Sequence, residues 1–202
     1  MRGCPLGGKQ GPAWHQRPEH PSSLIPDPLL HQLMILTLST LPSPIGPLAV
    51  ACDEDGSVRG VSFGEGLERS MRRTWPGATL AAGEAPAAMR AGLEAYFAGD
   101  RAALARIDWS LDGASAGDGF QVRVWRALAE VPVGTTISYG EMAKQAGEPG
   151  AAQAAGVALN RNPIPLVLPC HRVVGADGAM VGFGGGLERK TWLLRHEGAL
   201  LI

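Results

Sequence analysis

The chain has 202 residues, 45% of them hydrophobic, and a formal net charge of −1. It is long enough for one or two compact domains, and its near-neutral balance leaves no strong electrostatic footprint for nucleic acid. No apolar stretch approaches the roughly 20 residues of a membrane span. Cys4, Cys52 and Cys170, odd in number and scattered, imply no disulfide framework and suit a reducing, cytoplasmic compartment.

Residues 1–33 hold six prolines and three of the five histidines without any period of 2 or 3.6, which predicts a disordered extension. The spacing of Cys4, His15, His20 and His31 matches no zinc pattern, so no metal is expected. Leu33 to Leu38 is too short and too poorly flanked for a signal peptide. From Met34 to residue 82 the pattern is one of short strands and turns: Ala49–Cys52, Asp53–Gly56, then Val58–Phe63. The Asp55-Gly56 pair between apolar runs predicts a hairpin. Residues 84–99 read as a helix with Met89, Leu93, Tyr96 and Phe97 facing the core, stopped by Gly99-Asp100. Ala114–Gly119 is a small-residue linker.

The second half begins with a helix in which Phe120, Val124 and Leu128 recur at helical spacing. Ser138 and Glu141 form a capping-box signature that starts a short helix to about Gln145. Gly147 suits a stop and Pro149 the first position of a further helix, Ala151–Leu159. Two short helices joined by a glycine-containing turn are a helix-turn-helix. The second is built of small residues, so its backbone can press close to a partner surface. An apolar, strand-like run, Ile164–Leu168, then leads to Pro169-Cys170-His171-Arg172-Val173. A thiol ionises only slightly at neutral pH, and a base within reach is what makes it nucleophilic. On those two residues alone, a buried structural cysteine beside a histidine is the competing reading.

The chain resembles the O6-alkylguanine-DNA alkyltransferases, also called methylated-DNA–protein-cysteine methyltransferases. The motifs that carry the resemblance are Phe120-Gln121 with Val124-Trp125, Ile137-Ser138-Tyr139-Gly140, Asn162-Pro163, Pro169 to Val173, Gly185-Gly186-Leu187, and Trp192 to Leu194 with His196-Glu197-Gly198. The first half matches more loosely, through Pro44 to Leu48 and Tyr96 to Gly99, and Met34 stands where members of the family usually begin. The resemblance implies an α+β fold. Residues 34–113 would form a small α/β domain with a short antiparallel sheet, and 114–202 a mostly helical domain containing the helix-turn-helix. It further implies one irreversible transfer of an alkyl group from O6-alkylguanine, and from O4-alkylthymine, in double-stranded DNA to Cys170. Docking would be in the minor groove with the damaged base flipped out. The protein would act as a monomer without any cofactor.

In that scheme His171 activates Cys170 through a water, Glu197 orients His171, and Tyr139 donates a hydrogen bond to the flipped base. Asn162 is the hinge between the recognition helix and the segment of Cys170. Ala151, Ala152, Gln153, Arg161 and Gly184 would face DNA. Three positions depart from the family pattern. Gln153 stands where an intruding arginine is usual, and glutamine is shorter and uncharged but can still bond the orphaned cytosine. Phe183-Gly184 replaces a tyrosine and a Ser or Ala, leaving a glycine run that predicts a roomy, flexible pocket wall. Asn160-Arg161 replaces smaller residues, and Arg161 is a candidate for the missing charge. Arg172 is expected to anchor structure by ion pairing; Lys190 has no assigned role. A non-enzymatic sensor of alkylated DNA is the alternative function, and the presence of Cys170 speaks against it. A cysteine hydrolase would need an oxyanion arrangement that the sequence does not suggest.

Overall fold

In the computed structural model, residues 34–115 and 119–200 are described. The Cys4, His15, His20 and His31 set, the proposed extension and the middle of the linker lie outside them. Alternating apolar residues form β1 (Ile35–Leu41), β2 (Leu48–Cys52) and β3 (Val58–Phe63), each antiparallel to the next. The expected hairpin is present. Gly56 takes φ +85°, and the Asp53 carboxylate accepts from Ser57 N at 2.8 Å and pairs with Arg59 at 2.7 Å. A fourth strand, β4 (Thr79–Ala82), runs parallel to β1 and completes the order β3-β2-β1-β4.

Between β3 and β4 lies α1 (Leu67–Thr74), where strands and turns alone were expected. Leu67 and Met71 are its only large apolar residues, too few to reveal a helical period. Its stability comes from packing on the sheet, where Leu36 and Ala51, with Trp75 at the helix end, bury them. Helix α2 (Ala87–Phe97) starts after Pro86 and buries Met89, Leu93 and Tyr96.

The C-terminal half contains α3 (Phe120–Leu128), α4 (Tyr139–Gln145), α5 (Ala152–Asn160) and α6 (Leu187–Glu197). Trp125 of α3 is buried and donates to the Ala158 carbonyl of α5 at 2.8 Å. Ser138 caps α4 as expected, accepting from Glu141 N at 3.1 Å; the Glu141 carboxylate lies 3.8 Å from Lys144. Pro149 does not open α5. Pro149 and Gly150 form the turn, Gly150 at φ +90°, and the helix begins three residues after the proline.

A single buried cluster runs through both halves, joining Val61, Met89 and Tyr96 to Trp125, Leu168, Cys170 and Leu193. A backbone bond from Val61 N to Pro163 O at 2.8 Å ties β3 to the segment that leads to Cys170. Among the described residues, no helix is long and apolar enough to cross a membrane.

Candidate active site and nucleic-acid interface

Ile164–Leu168 is buried as expected but is not a strand. It folds into a tight loop closed by Leu168 N to Ile164 O at 2.8 Å, with Leu166 at φ +75°. A buried leucine in that region costs on the order of 1–3 kcal/mol and persists only when its surroundings impose it. Asn162 supplies part of that constraint. Its Nδ2 donates to Leu168 O at 2.8 Å and its Oδ1 accepts from Ile164 N at 3.0 Å, clamping both ends of the loop. The chain then enters a 3₁₀ turn, Cys170–Arg172, followed by β6 (Val173–Val174). That strand pairs in parallel with β5 (Ile137–Ser138), placing Cys170 close behind the cap of α4.

Cys170, His171 and Glu197 are all buried. Glu197 is therefore no solvated surface acid, although it lies near the end of a helix. Its Oε1 lies 3.0 Å from His171 Nε2, while Arg172 donates to both oxygens, Nε to Oε2 and Nη2 to Oε1, each at 2.8 Å. Arg172 also donates to Val131 O at 2.6 Å, in keeping with its expected anchoring role. Tyr96, from α2, donates its hydroxyl to the same Oε1 at 2.9 Å. The helical spacing of Met89, Leu93 and Tyr96 predicts plain core at this position. The available signal was its hydroxyl, which needs a partner once buried.

Charge follows from these contacts. Burial opposes ionisation of Glu197, but bonds from His171 and Arg172 together hold it at about 2. A carboxylate only accepts, so His171 Nε2 carries the proton and Nδ1 keeps its lone pair. Nδ1 has no protein partner among the described residues. Burial keeps the imidazole below its usual range despite Glu197. Burial likewise pushes the Cys170 thiol up, against the pull of Asn162 and of the Lys190 charge. Both groups are neutral at rest. Lys190, to which the sequence assigns no role, is fully buried and donates Nζ to Val173 O at 2.7 Å and Val181 O at 3.0 Å.

Tyr139 is half-buried at the start of α4, its hydroxyl donating to Val181 O at 3.0 Å and its ring facing Gly156 of α5. On α5, Gln153, Val157, Asn160 and the following Arg161 are exposed at positions i, i+4, i+7 and i+8, one continuous stripe. Ala151 and Ala152 are half-buried at its start. Burial, and after it the nearby Arg161 charge, lowers the proton affinity of the Arg73 guanidinium on α1. Gly184 is open to solvent. Gly185 is not roomy: a Cβ there would meet Phe63 at 2.6 Å and Phe183 at 2.7 Å. The flexible-wall reading of the glycine run thus fails at its centre, where packing demands glycine.

The shared acceptor Oε1 yields one prediction. In Tyr96→Phe that oxygen loses a donor and becomes a stronger partner for a charged imidazole, which raises the His171 pKa. The acid limb of the pH–rate profile for modification of Cys170 should therefore move to higher pH, with about 1 kcal/mol lost in stability. Superimposable profiles would rule the coupling out.

A thiol backed by a histidine–carboxylate pair, set behind a helix-turn-helix, defines a DNA-docking protein that carries its own nucleophile. Comparison with known sequences agrees. The profile described as 6-O-methylguanine DNA methyltransferase, DNA binding domain, matches residues 119–199, and the ribonuclease-like domain of the same family matches 36–109. The chain belongs to this family. It is 43% identical over 165 residues to the methylated-DNA–protein-cysteine methyltransferase of Shigella flexneri, covering 79% of this chain and 94% of that one. With the Mycobacterium tuberculosis H37Rv protein of the same name identity is 45% over 162 residues, covering 78% and 90%. The crystal structure of Mycobacterium tuberculosis OGT in complex with DNA superposes with a TM-score of 0.63 at 37% identity, covering 82% of this chain and 93% of that one.

Proposed function

We propose that the protein repairs DNA by moving the alkyl group of O6-alkylguanine onto Cys170, once per molecule. The observation that carries this reading is the Cys170 turn backed by the buried His171–Glu197 pair. In the reaction, His171 Nδ1 takes the thiol proton through a bridging water, and Glu197 stabilises the resulting imidazolium. The thiolate attacks the alkyl carbon in line. The S–C bond forms, the C–O6 bond breaks, and its electron pair stays on guanine, which Tyr139 stabilises as hydrogen-bond donor while the proton taken from the thiol passes from the imidazolium through water to the base. A thioether is not hydrolysed under these conditions, so Cys170 is not regenerated.

The base must leave the stack to reach a buried thiol. Docking is assigned to the minor groove, with the α5 stripe inserted and its small residues permitting close approach. Gln153 occupies the position of the intruding side chain, Arg161 supplies the cation at the helix end, and Gly184 lines the entrance. The test is intact-protein mass spectrometry after incubation with duplex DNA containing O6-methylguanine. One added methyl per molecule is expected. DNA binding without any mass gain would instead favour the sensor alternative.

Gln153→Arg should raise the rate on duplex DNA about fivefold, equivalent to roughly 1 kcal/mol of easier extrusion. Single-stranded substrate, which has no stack to disrupt, should respond much less. Equal responses of the two substrates would remove Gln153 from the intruding position and make Arg161 the next candidate.

A further inference from the structure

Arg189 and Lys190 occupy the first turn of α6, where a cation opposes the helix dipole by about 0.3–1 kcal/mol. The hydrogen bonds of both side chains go to backbone carbonyls. Lys190 holds Val181 O at 3.0 Å, and Arg189 Nη1 holds Gly185 O at 2.8 Å. The segment 181–185 is thus fastened at both ends by adjacent residues of one helical turn. Between those ends Phe183 stands 6.5 Å from the His171 ring and 5.3 Å from the Phe63 ring. Arg189 also reaches the N-terminal half, donating Nε to Ile45 O at 2.7 Å and lying 5.7 Å from the centroid of Phe63. Gly185 is wedged between Phe63 and Phe183 closely enough to exclude a Cβ. The Gly185 end of the segment therefore cannot shift unless Arg189 or Phe63 gives way. An open cleft of about 550 Å³, lined by Pro44, Ile45, Gly185, Gly186, Arg189 and Trp192 among others, adjoins the C-terminal end of the segment.

We propose that Arg189, acting with Phe63, is a positioning residue that limits the size of the alkyl group reaching Cys170, by seating segment 181–185 and Phe183 against β3. The proposal rests on the alkyl-transfer reading and adds to it the origin of substrate size selection. Arg189 touches neither the thiol nor its relay. It acts through Phe183, and the N-terminal sheet thereby takes part in selecting substrate.

The experiment compares single-turnover rates on O6-methylguanine and O6-benzylguanine in the same duplex for wild type, Arg189→Ala, Arg189→Lys and Phe63→Leu. Freeing the segment disorders the pocket for methyl transfer while making room for benzyl. The benzyl-to-methyl rate ratio should therefore rise about tenfold in Arg189→Ala and Phe63→Leu, the low end of the scale for a pocket change of about one methylene. Arg189→Lys, which keeps one donor but loses the fork, should fall between them and wild type. A merely structural role would lower both rates together and leave the ratio alone. A ratio within about twofold of wild type in the folded variants overturns the proposal. Should Arg189→Ala fail to fold, Phe63→Leu decides by the same criterion. A wild-type protein that accepts neither group overturns the alkyl-transfer reading, and the proposal with it.

Discussion

Cys170→Ser is expected to take up no alkyl group from O6-methylguanine DNA, while its fold and DNA binding should remain those of the wild type. The reason lies in the acid–base match. A thiol, even one raised by burial, is within reach of a neutral imidazole, whereas a serine hydroxyl is far less acidic. The drop is expected to exceed about 10³-fold, since among the described residues no second thiol stands beside the His171–Glu197 pair. Cys52 cannot replace it. Buried at the end of β2, that thiol is pushed up to about 11 by burial and by Asp53, and stays protonated. Intact-mass and peptide mass spectrometry of both proteins check the result. A methyl group found on Cys52, or persistent uptake by Cys170→Ser, would sink the assignment.

Glu197→Gln is expected to lose both activity and stability. The carboxylate accepts from Tyr96, His171 and Arg172 at once. Replacing it with an amide leaves the buried Arg172 guanidinium without its counter-charge, a change that typically costs about 3–5 kcal/mol. It also removes the anion that stabilises the imidazolium, so transfer should slow by about 10²–10⁴-fold while DNA affinity holds. The pH dependence separates the two effects. With a folded pKa near 2 against an ordinary 4.5, the Glu197 contribution is complete above about pH 5 and is lost as pH falls towards the folded value. His171, held low by burial, acts in the same direction, because the unfolded chain gains its proton first. Urea unfolding of the wild type should therefore weaken steeply on acidification, and Glu197→Gln should flatten that slope. Equal slopes, or an unchanged transfer rate, would show that Glu197 neither anchors the site nor assists His171.

Local signals in the sequence were sufficient wherever one residue's chemistry dictates one conformation. Asp55-Gly56 demanded a tight turn, Ser138 with Glu141 marked a helix start, and the period of Phe120, Val124 and Leu128 disclosed α3, because each rests on neighbours within a few positions. The Cys170-His171 pair was legible for the same reason. Helix α1 was not, since two apolar residues make a helix only when a sheet is there to bury them. Nor was the loop at Ile164–Leu168, where an apolar run reads equally as a strand until Asn162 clamps its ends and forces Leu166 to positive φ. The chain order likewise names Glu197 and Tyr96 without joining them. Only packing of α2 against α6 brings that hydroxyl, 101 residues away along the chain, onto the carboxylate that faces His171. The nucleophile was written in adjacent residues. Its electrostatic setting, and the seating of segment 181–185 against Phe63, were decided by tertiary contact, because buried charges take their properties from whatever the fold places beside them.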